Sequence, residues 1–369
     1  MEHTKLVIAS VLKPVNDTRM YKKFAQSIGQ AKKYDINIIG FYSKILPVDD
    51  NISFHPIFNF DRLSLKRLIV PIKYLNTLFK IKPEIIILET HELLIPTLLY
   101  KLVRNVRLYY DIRENYFLNI KHTNAFPGII KYLVAYWVRL KEIASAPFIE
   151  FYFLAEKTYA NELHFTKKKR IIIENKARSN AFKKDLNQKL DSQNLKIVFT
   201  GTIAETTGIY EAIDLHQKLI DKYPNCTLKI VGFCPHKKTY FDLLERLKST
   251  KNIELVGGDK LVNHDDIWNA IDQADVGIIY YPPNVANDNS IPTKLYEYLA
   301  AHLPVITESK DHFRGLLEPY NAAVYCDFQG VNIERLINDL STSIFYTKET
   351  NSEVFWEDEG LKLLEILKS

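Results

Sequence analysis

The segment Asp275 to Ile306, DVGIIYYPPNVANDNSIPTKLYEYLAAHLPVI, sets a strand, a loop, a helix and a second strand in immediate succession. Its β-branched opening reads as a strand, Asn284 to Asn289 as a polar loop, and Ser290 to His302 as a helix by its apolar spacing, and Pro304 to Thr307 starts the next strand. Strand, crossover helix and strand is the unit of a parallel sheet, and the loop at the carboxyl end of such a strand is where α/β sheets bind ligands.

Within the helix, Ser290 is placed to cap the first turn and Pro292 suits that turn, so backbone N–H groups are left to point at an anion. Spacings of three and four put Ser290, Lys294, Glu297 and Tyr298 along one face and turn Leu295 and Leu299 to the core. A cation and a carboxylate on one side suit a nucleotide diphosphate, with Lys294 and the helix N-terminus on the phosphates and Glu297 on the ribose hydroxyls. The spacing fits a surface Lys–Glu pair on an ordinary helix equally well.

The same alternation runs outward in both directions. Strands are expected at Leu6–Ser10, Ile36–Phe41, Ile85–Leu88, Arg107–Asp111, Phe148–Leu154 and Arg170–Ile173, and again at Leu195–Thr200, Thr227–Val231, Ile253–Val256, Val276–Tyr280, Pro304–Thr307 and Ala323–Tyr325, with amphipathic stretches between most of them. The class is α/β. The stretch Lys176 to Asn194 has little that could fill a core and reads as a linker, and a last helix is expected over about Glu353 to Leu367. The chain of 369 residues, 47% hydrophobic and 25% charged, has room for two globular domains. They are expected at 1–180 and 195–350, with 351–369 as a C-terminal piece.

Residues 1–190 carry 32 Lys and Arg against 17 Asp and Glu, and the remainder 17 against 27. A basic half meets nucleic acid, an anionic membrane or phosphorylated substrates, and charge alone does not choose among them. Cys226, Cys234 and Cys326 form no Cys-x-x-Cys pair, which speaks against a disulfide framework or zinc site and for a reducing compartment. There is no long apolar run, no Gly-x-Gly-x-x-Gly, no P-loop, no His-Glu-x-x-His and no Asp-x-Asp after a strand, so no metal is expected. The basic cluster Lys167 to Arg170 reads as a solvated turn. The chain is expected to be cytoplasmic.

Residues Ser290, Pro292, Lys294, Glu297, Tyr298, Ala300, Pro304, Val305 and Ile306 resemble the C-terminal signature of glycosyltransferase family 4, the retaining GT-B nucleotide-sugar transferases. The resemblance extends over nearly the whole chain, through NDTRMYKKFAQSIGQAKKYDINIIGF with Asp17, Arg19 and Lys23, then ETHELLIPTLL, YYDIRENY, IIIENKA, VFTGTIAETTGIYEAI, LKIVGF and IELVGG. It implies two Rossmann-like domains facing across a cleft, a C-terminal helix crossing back to the first domain, and metal-independent transfer of a sugar from a UDP- or GDP-sugar to a glycan or lipid-linked acceptor in cell-surface polysaccharide synthesis. No cofactor and no nucleic-acid partner are implied.

For the donor, the resemblance implies Glu297 on the ribose and the segment Ser290, Ile291 and Thr293 on sugar and diphosphate. Asn289 stands where the family has a glutamate on the donor sugar. Gly201, Thr202, Thr207 and Gly208 form the first loop of the second domain, with Thr207 where a basic residue is common. Gly232, Gly257 and Gly258 lie near the base. Asp17, Arg19, His91 and Glu114 are implied on the acceptor side, and Arg113 stands in place of the family's cleft histidine. Arg113 either offsets the cation missing at Thr207 or pairs with Asp111 or Glu114 to shape its loop. His91 is a cleft residue or a partnered structural one.

Two basic stretches suit an anionic membrane surface at the inner face of a membrane: Asp61 to Lys80, with Arg62, Lys66, Lys73 and Lys80 on one side and a kink expected at Pro71, and Gly128 to Lys141, with Tyr132, Tyr136 and Trp137 among Lys131, Arg139 and Lys141. Both also suit helices packed on the first sheet with snorkelling cations. Two other functions share the scaffold: a nucleotide-sugar epimerase or hydrolase, and a non-catalytic partner subunit.

Overall fold

A computed structural model describes residues 3–43, 46–60, 64–122, 128–179, 183–284, 288 and 290–368. The chain forms two compact units, Met1–Asn175 with Trp356–Ser369, and Lys176–Phe355. Each is a Rossmann-like parallel sheet covered by helices.

The first sheet contains β1 (Thr4–Pro14), β2 (Tyr34–Phe41), β3 (Ile52–Phe58), β4 (Ile85–Leu88), β5 (Arg107–Ile112), β6 (Phe151–Leu154) and β7 (Arg170–Ile172), in the order β3-β2-β1-β4-β5-β6-β7. All pairings are parallel, so the central strands are apolar on both faces, as in the unbroken burial of Ile85 to Leu88. The sequence reading did not anticipate β3. It contains Pro56, which cannot donate to a ladder, and it is tolerated because β3 is an edge strand.

One face of this sheet is closed by the helix Trp356–Lys368, whose Trp356, Leu363 and Leu367 join Ile8, Phe24 and Phe153 in one core. Trp356 Nε1 donates to Ser27 Oγ at 2.9 Å, and Arg107 donates to the carbonyl of Leu367 at 3.0 Å. The last helix thus belongs to the first unit. On the other face lie the helices Val70–Ile81, Leu94–Val103 and Ile130–Ser145. Pro71 stands where the stretch changes from a 3₁₀ turn, Leu65–Ile69, to the α-helix Val70–Ile81. It occupies the first turn, where no intrahelical acceptor awaits its missing N–H. Arg62 lies outside the described residues.

The second sheet contains β8 (Lys196–Thr202), β9 (Thr227–Phe233), β10 (Ile253–Gly258), β11 (Val276–Ile279), β12 (Val305–Thr307) and β13 (Ala323–Tyr325), in the order β10-β9-β8-β11-β12-β13. The segment read as a linker is part of this unit. Gln188 exchanges two backbone hydrogen bonds with Phe345, Lys184 N–H donates to the carbonyl of Ala301, and Leu186 and Leu190 pack on the core. The Gln188 side chain also donates to the carbonyl of His302 at 2.8 Å, so two leucines and a few inward hydrogen bonds anchor an otherwise polar segment.

Candidate functional site

In the second unit the strand order reverses between β8 and β11, and at such a switch point the loops leaving the two strands part to form a crevice. The β8 loop passes through a turn at Glu205–Thr207 to Gly208, which starts the helix Ile209–Ile220 at φ +74°. A Cβ there would lie 2.5 Å from the carbonyl oxygen of Tyr280, so the two loops touch where no side chain fits. Gly201, Gly232 and Gly257 lie in register across β8, β9 and β10, and a Cβ on Gly232 would stand 1.7 Å from the Gly201 carbonyl. The strand ends therefore form a floor of bare backbone. Gly258 pairs with Phe233 one position on, and Thr202 is exposed at the end of β8. The Thr207 hydroxyl lies 2.7 Å from the Thr202 carbonyl and accepts from Ala204 N–H at 3.1 Å, which locks the turn.

The β11 loop leads to the helix Thr293–Ala300. Its N-cap is Pro292, not Ser290, and no side chain caps it. Ser290 and Ile291 are half-buried in the preceding segment, and Asn289 lies outside the described residues. Every residue from Lys294 to Ala300 is buried, which excludes a surface Lys–Glu pair. Tyr298 leaves the ligand face altogether. It is fully buried, bonds Thr200 Oγ1 at 3.0 Å, and its ring occupies the space that a side chain on Gly277 would need.

Lys294 is 7% exposed, and its Nζ has no hydrogen-bond partner among the described residues. It lies 4.1 Å from the ring centroid of Phe199 and 5.3 Å from that of Tyr281. Aromatic faces attract a cation but do not replace its lost hydration. Burial pushes the Lys294 pKa down to about 7, with the Glu297 charge pulling the other way. An anion bound beside Nζ would supply the partner that is missing. Glu297, 6% exposed, accepts at Oε1 from His264 Nε2 at 2.7 Å. His264 opens the helix His264–Gln273 and meets the ring of Trp268 edge-on. Sequence reasoning missed His264; its signal was a histidine opening the helix that follows Gly257 and Gly258.

The first sheet reverses between β1 and β4, and a charge cluster gathers at that point. Asp17 caps the helical segment Thr18–Ala25, which is wound with π-type bonding, by accepting from the N–H groups of Arg19 and Met20. Arg113, after β5, donates to Asp17 Oδ1 at 2.9 Å and to Glu89 Oε2 at 2.7 Å. It does not pair with Asp111 or Glu114. Asp111 is held by Arg19 through bonds of 2.7 and 2.6 Å, and Glu114 accepts from Asn119 at 3.0 Å. Arg19, 1% exposed, also donates to the Ile173 carbonyl, and its Nη1 has no hydrogen-bond partner among the described residues.

Glu89, which the sequence reading passed over at the end of β4, is fully buried with no hydrogen-bond partner for Oε1 among the described residues. Burial pushes its pKa up to about 8 against the pull of Arg113. Burial also acts to raise Asp17, but there the charges of Arg113 and Lys13 prevail and hold it at about 2. His91 Nδ1 lies 3.0 Å from Lys141 Nζ, and its ring meets Tyr116 edge-on at 4.8 Å. Burial pushes its pKa down to about 4, so near neutral pH it is an uncharged acceptor for Lys141.

Residues 180–344, inside the second unit, match the family model described as glycosyl transferases group 1. No curated protein matches the chain. Sucrose-phosphate synthase from Thermosynechococcus elongatus is similar in structure, with a TM-score of 0.72 at 12% identity over 99% of this chain and 98% of that one. Anabaena HepE, solved in complex with UDP and glucose, has a TM-score of 0.67 at 14% identity with both chains fully covered. A putative UDP-N-acetylglucosamine 2-epimerase from Listeria monocytogenes has a TM-score of 0.60 at 12% identity, covering 100% of this chain and 96% of that one. At these identities the likeness establishes the shared GT-B fold.

Proposed function

We propose that this chain, whose second unit is a glycosyl transferases group 1 domain, transfers a sugar with retention from a nucleotide-diphosphate sugar to a glycan or lipid-linked acceptor. The observation that carries the reading is Lys294, a buried cation without a hydrogen-bond partner among the described residues, one helical turn from Glu297 at the switch point of the sheet. A diphosphate beside Lys294 and the first turn of its helix would be stabilised by the ammonium and by the positive end of the helix dipole. Glu297, oriented by His264, would accept from the ribose hydroxyls. The bare floor of Gly201, Gly232 and Gly257 leaves room for the base or sugar to lie against backbone.

As the bond from sugar to diphosphate breaks, negative charge grows on the leaving phosphate, and Lys294 is the group placed to meet it. The reading needs no metal, because an ammonium and oriented amides do the work that a divalent cation would do. UDP is the nucleotide to try first, since HepE was solved in complex with UDP and glucose. The acceptor is assigned to the strand ends of the first unit, around Glu89, His91 and Arg113. The family match favours transfer over epimerisation, although the Listeria relative carries an epimerase name on the same fold.

Titration calorimetry with UDP, GDP and CMP, followed by product analysis of the matching sugar nucleotide with and without a lipid-linked acceptor, tests the reading. Tight binding of one diphosphate nucleotide, with sugar transfer that depends on acceptor, is the expected result. Interconversion of the sugar nucleotide without acceptor would replace transferase by epimerase, and binding without turnover would leave a partner subunit.

A further inference from the structure

The largest feature outside both sites is an inverted polarity on two helices of the first unit, extended by a third segment that mixes exposed apolar and basic residues. A surface helix ordinarily turns its charged residues to water and its apolar ones inward. In the helix Ile130–Ser145 every exposed position is apolar or aromatic, with Leu133 at 68% and Trp137 at 54%, while its one carboxylate, Glu142, is buried. In the helix Leu94–Val103, too, every exposed position is apolar, Leu99 and Leu102 among them. The segment from Leu65 to Ile81 adds exposed Leu68 and Ile72, interleaved with Lys66 and Lys73. The helix Leu94–Val103 contacts both of the others, so the three faces are continuous. The second unit, by contrast, exposes only Phe241, Leu261 and Ile344 as large hydrophobics among the described residues.

A continuous apolar face of this kind marks a surface that is covered in use. Its charges say by what. Across the three segments eight Lys and Arg stand against the single buried Glu142. Cations of one sign around apolar and aromatic side chains complement anionic headgroups above acyl chains. No helix is long and apolar enough to cross a membrane, among the described residues, so these helices would lie in its surface.

We propose that this three-helix face seats the first unit on an anionic lipid bilayer. The helices lie at the level of the headgroups, with Leu99, Leu102, Leu133 and Trp137 in the acyl boundary. One end of the face adjoins the candidate acceptor residues. The helix Leu94–Val103 continues directly from the turn His91–Leu93 after β4, and Lys141 of the helix Ile130–Ser145 reaches His91 at 3.0 Å. A lipid-linked acceptor anchored in that bilayer would therefore present its head group to Glu89 and His91; this last clause rests on the proposed transferase function, whereas the docking does not.

The test uses the full chain with vesicles of phosphatidylglycerol and phosphatidylcholine, and with phosphatidylcholine alone. Co-sedimentation at low salt is expected to be at least about tenfold stronger on the anionic vesicles, because each cation near the surface adds to the attraction. Acyl chains brominated near the headgroup are expected to quench Trp fluorescence in the wild type and not in Trp137→Phe. The double variant Leu102→Glu/Leu133→Glu is expected to lose at least about tenfold in vesicle binding. Its thermal unfolding and UDP affinity should not change. Wild-type protein that fails to sediment with anionic vesicles would overturn the proposal, as would a stable dimer that shields Trp137 and is dispersed by Leu133→Glu. Neither result would touch the donor reading, which stands or falls with nucleotide binding.

Discussion

His264 Nε2 lies 2.7 Å from Oε1 of Glu297, so the carboxylate proposed to hold the ribose is already oriented by a neighbour from a different helix. An oriented acceptor loses less freedom when the ribose arrives. Glu297→Ala should weaken nucleotide binding by about 1 to 3 kcal/mol, the usual range for hydrogen bonds to a charged group. His264→Ala should weaken it less. In calorimetry the double variant should resemble Glu297→Ala alone, because the histidine acts through the glutamate. Full affinity in a folded Glu297→Ala would remove the ribose assignment.

Lys294 has its pKa pushed down to about 7 by burial, so above neutral pH it is largely uncharged in the empty protein. A bound diphosphate favours the ammonium, and binding at pH 8 should therefore take up a proton. Calorimetry in buffers of different ionisation enthalpy should reveal that uptake in the wild type and not in Lys294→Met. Stability runs the other way. A depressed lysine pKa imposes its full cost below pH 7, and the cost fades as pH rises toward the unfolded value. Lys294→Met should accordingly raise the melting temperature of the empty protein most at pH 6.

Glu89 and Asp17 make opposite contributions to pH stability. Glu89, raised to about 8, binds its proton more tightly folded than unfolded, so stability should fall as pH climbs from about 5 to about 8. Asp17, held at about 2, contributes stability that is present above its unfolded pKa and lost as pH drops toward 2. Unfolding of Glu89→Gln across pH 5 to 8 should show a flatter profile than the wild type.

Arg113→Ala takes the cation from the half-buried Asp17 and a hydrogen bond from the buried Glu89, and breaking such a pair typically costs about 3 to 5 kcal/mol. The loss should grow as pH rises past about 8, where Glu89 ionises beside Arg113 in the wild type. A variant as stable as the wild type but slow in turnover would instead return Arg113 to a role in the reaction.

Gly208→Ala should destabilise the second unit by about 2 kcal/mol or more, because φ +74° and a carbonyl 2.5 Å from the new Cβ penalise it together. Denaturant unfolding would measure it.

The order of the elements and the helix that carries Lys294 and Glu297 were legible in the chain. Leu195 to Thr200 and Val276 to Tyr280 announce strands by their own β-branched runs. Lys294 and Glu297 fall on one helical face because three residues span most of a turn. Ile52 to Phe58 was not legible, since Pro56 argues against a strand until its edge position is known. Ser290 had the chemistry of a cap, but Pro292 took the position.

Backbone preference and periodicity are properties of neighbours along the chain, so the sequence by itself determined the α/β alternation, the two sheets and the faces of the helices. Which charges are sealed and which are exposed depends on residues distant in sequence, and only the tertiary structure decided it. Arg19 finds Asp111 across ninety-two positions, and Glu297 finds His264 across thirty-three. The helix Ile130–Ser145 looked amphipathic in sequence, and only packing showed that its apolar side faces outward. Periodicity tells which side chains lie together, whereas the free energy of a charge or an apolar ring depends on what covers it.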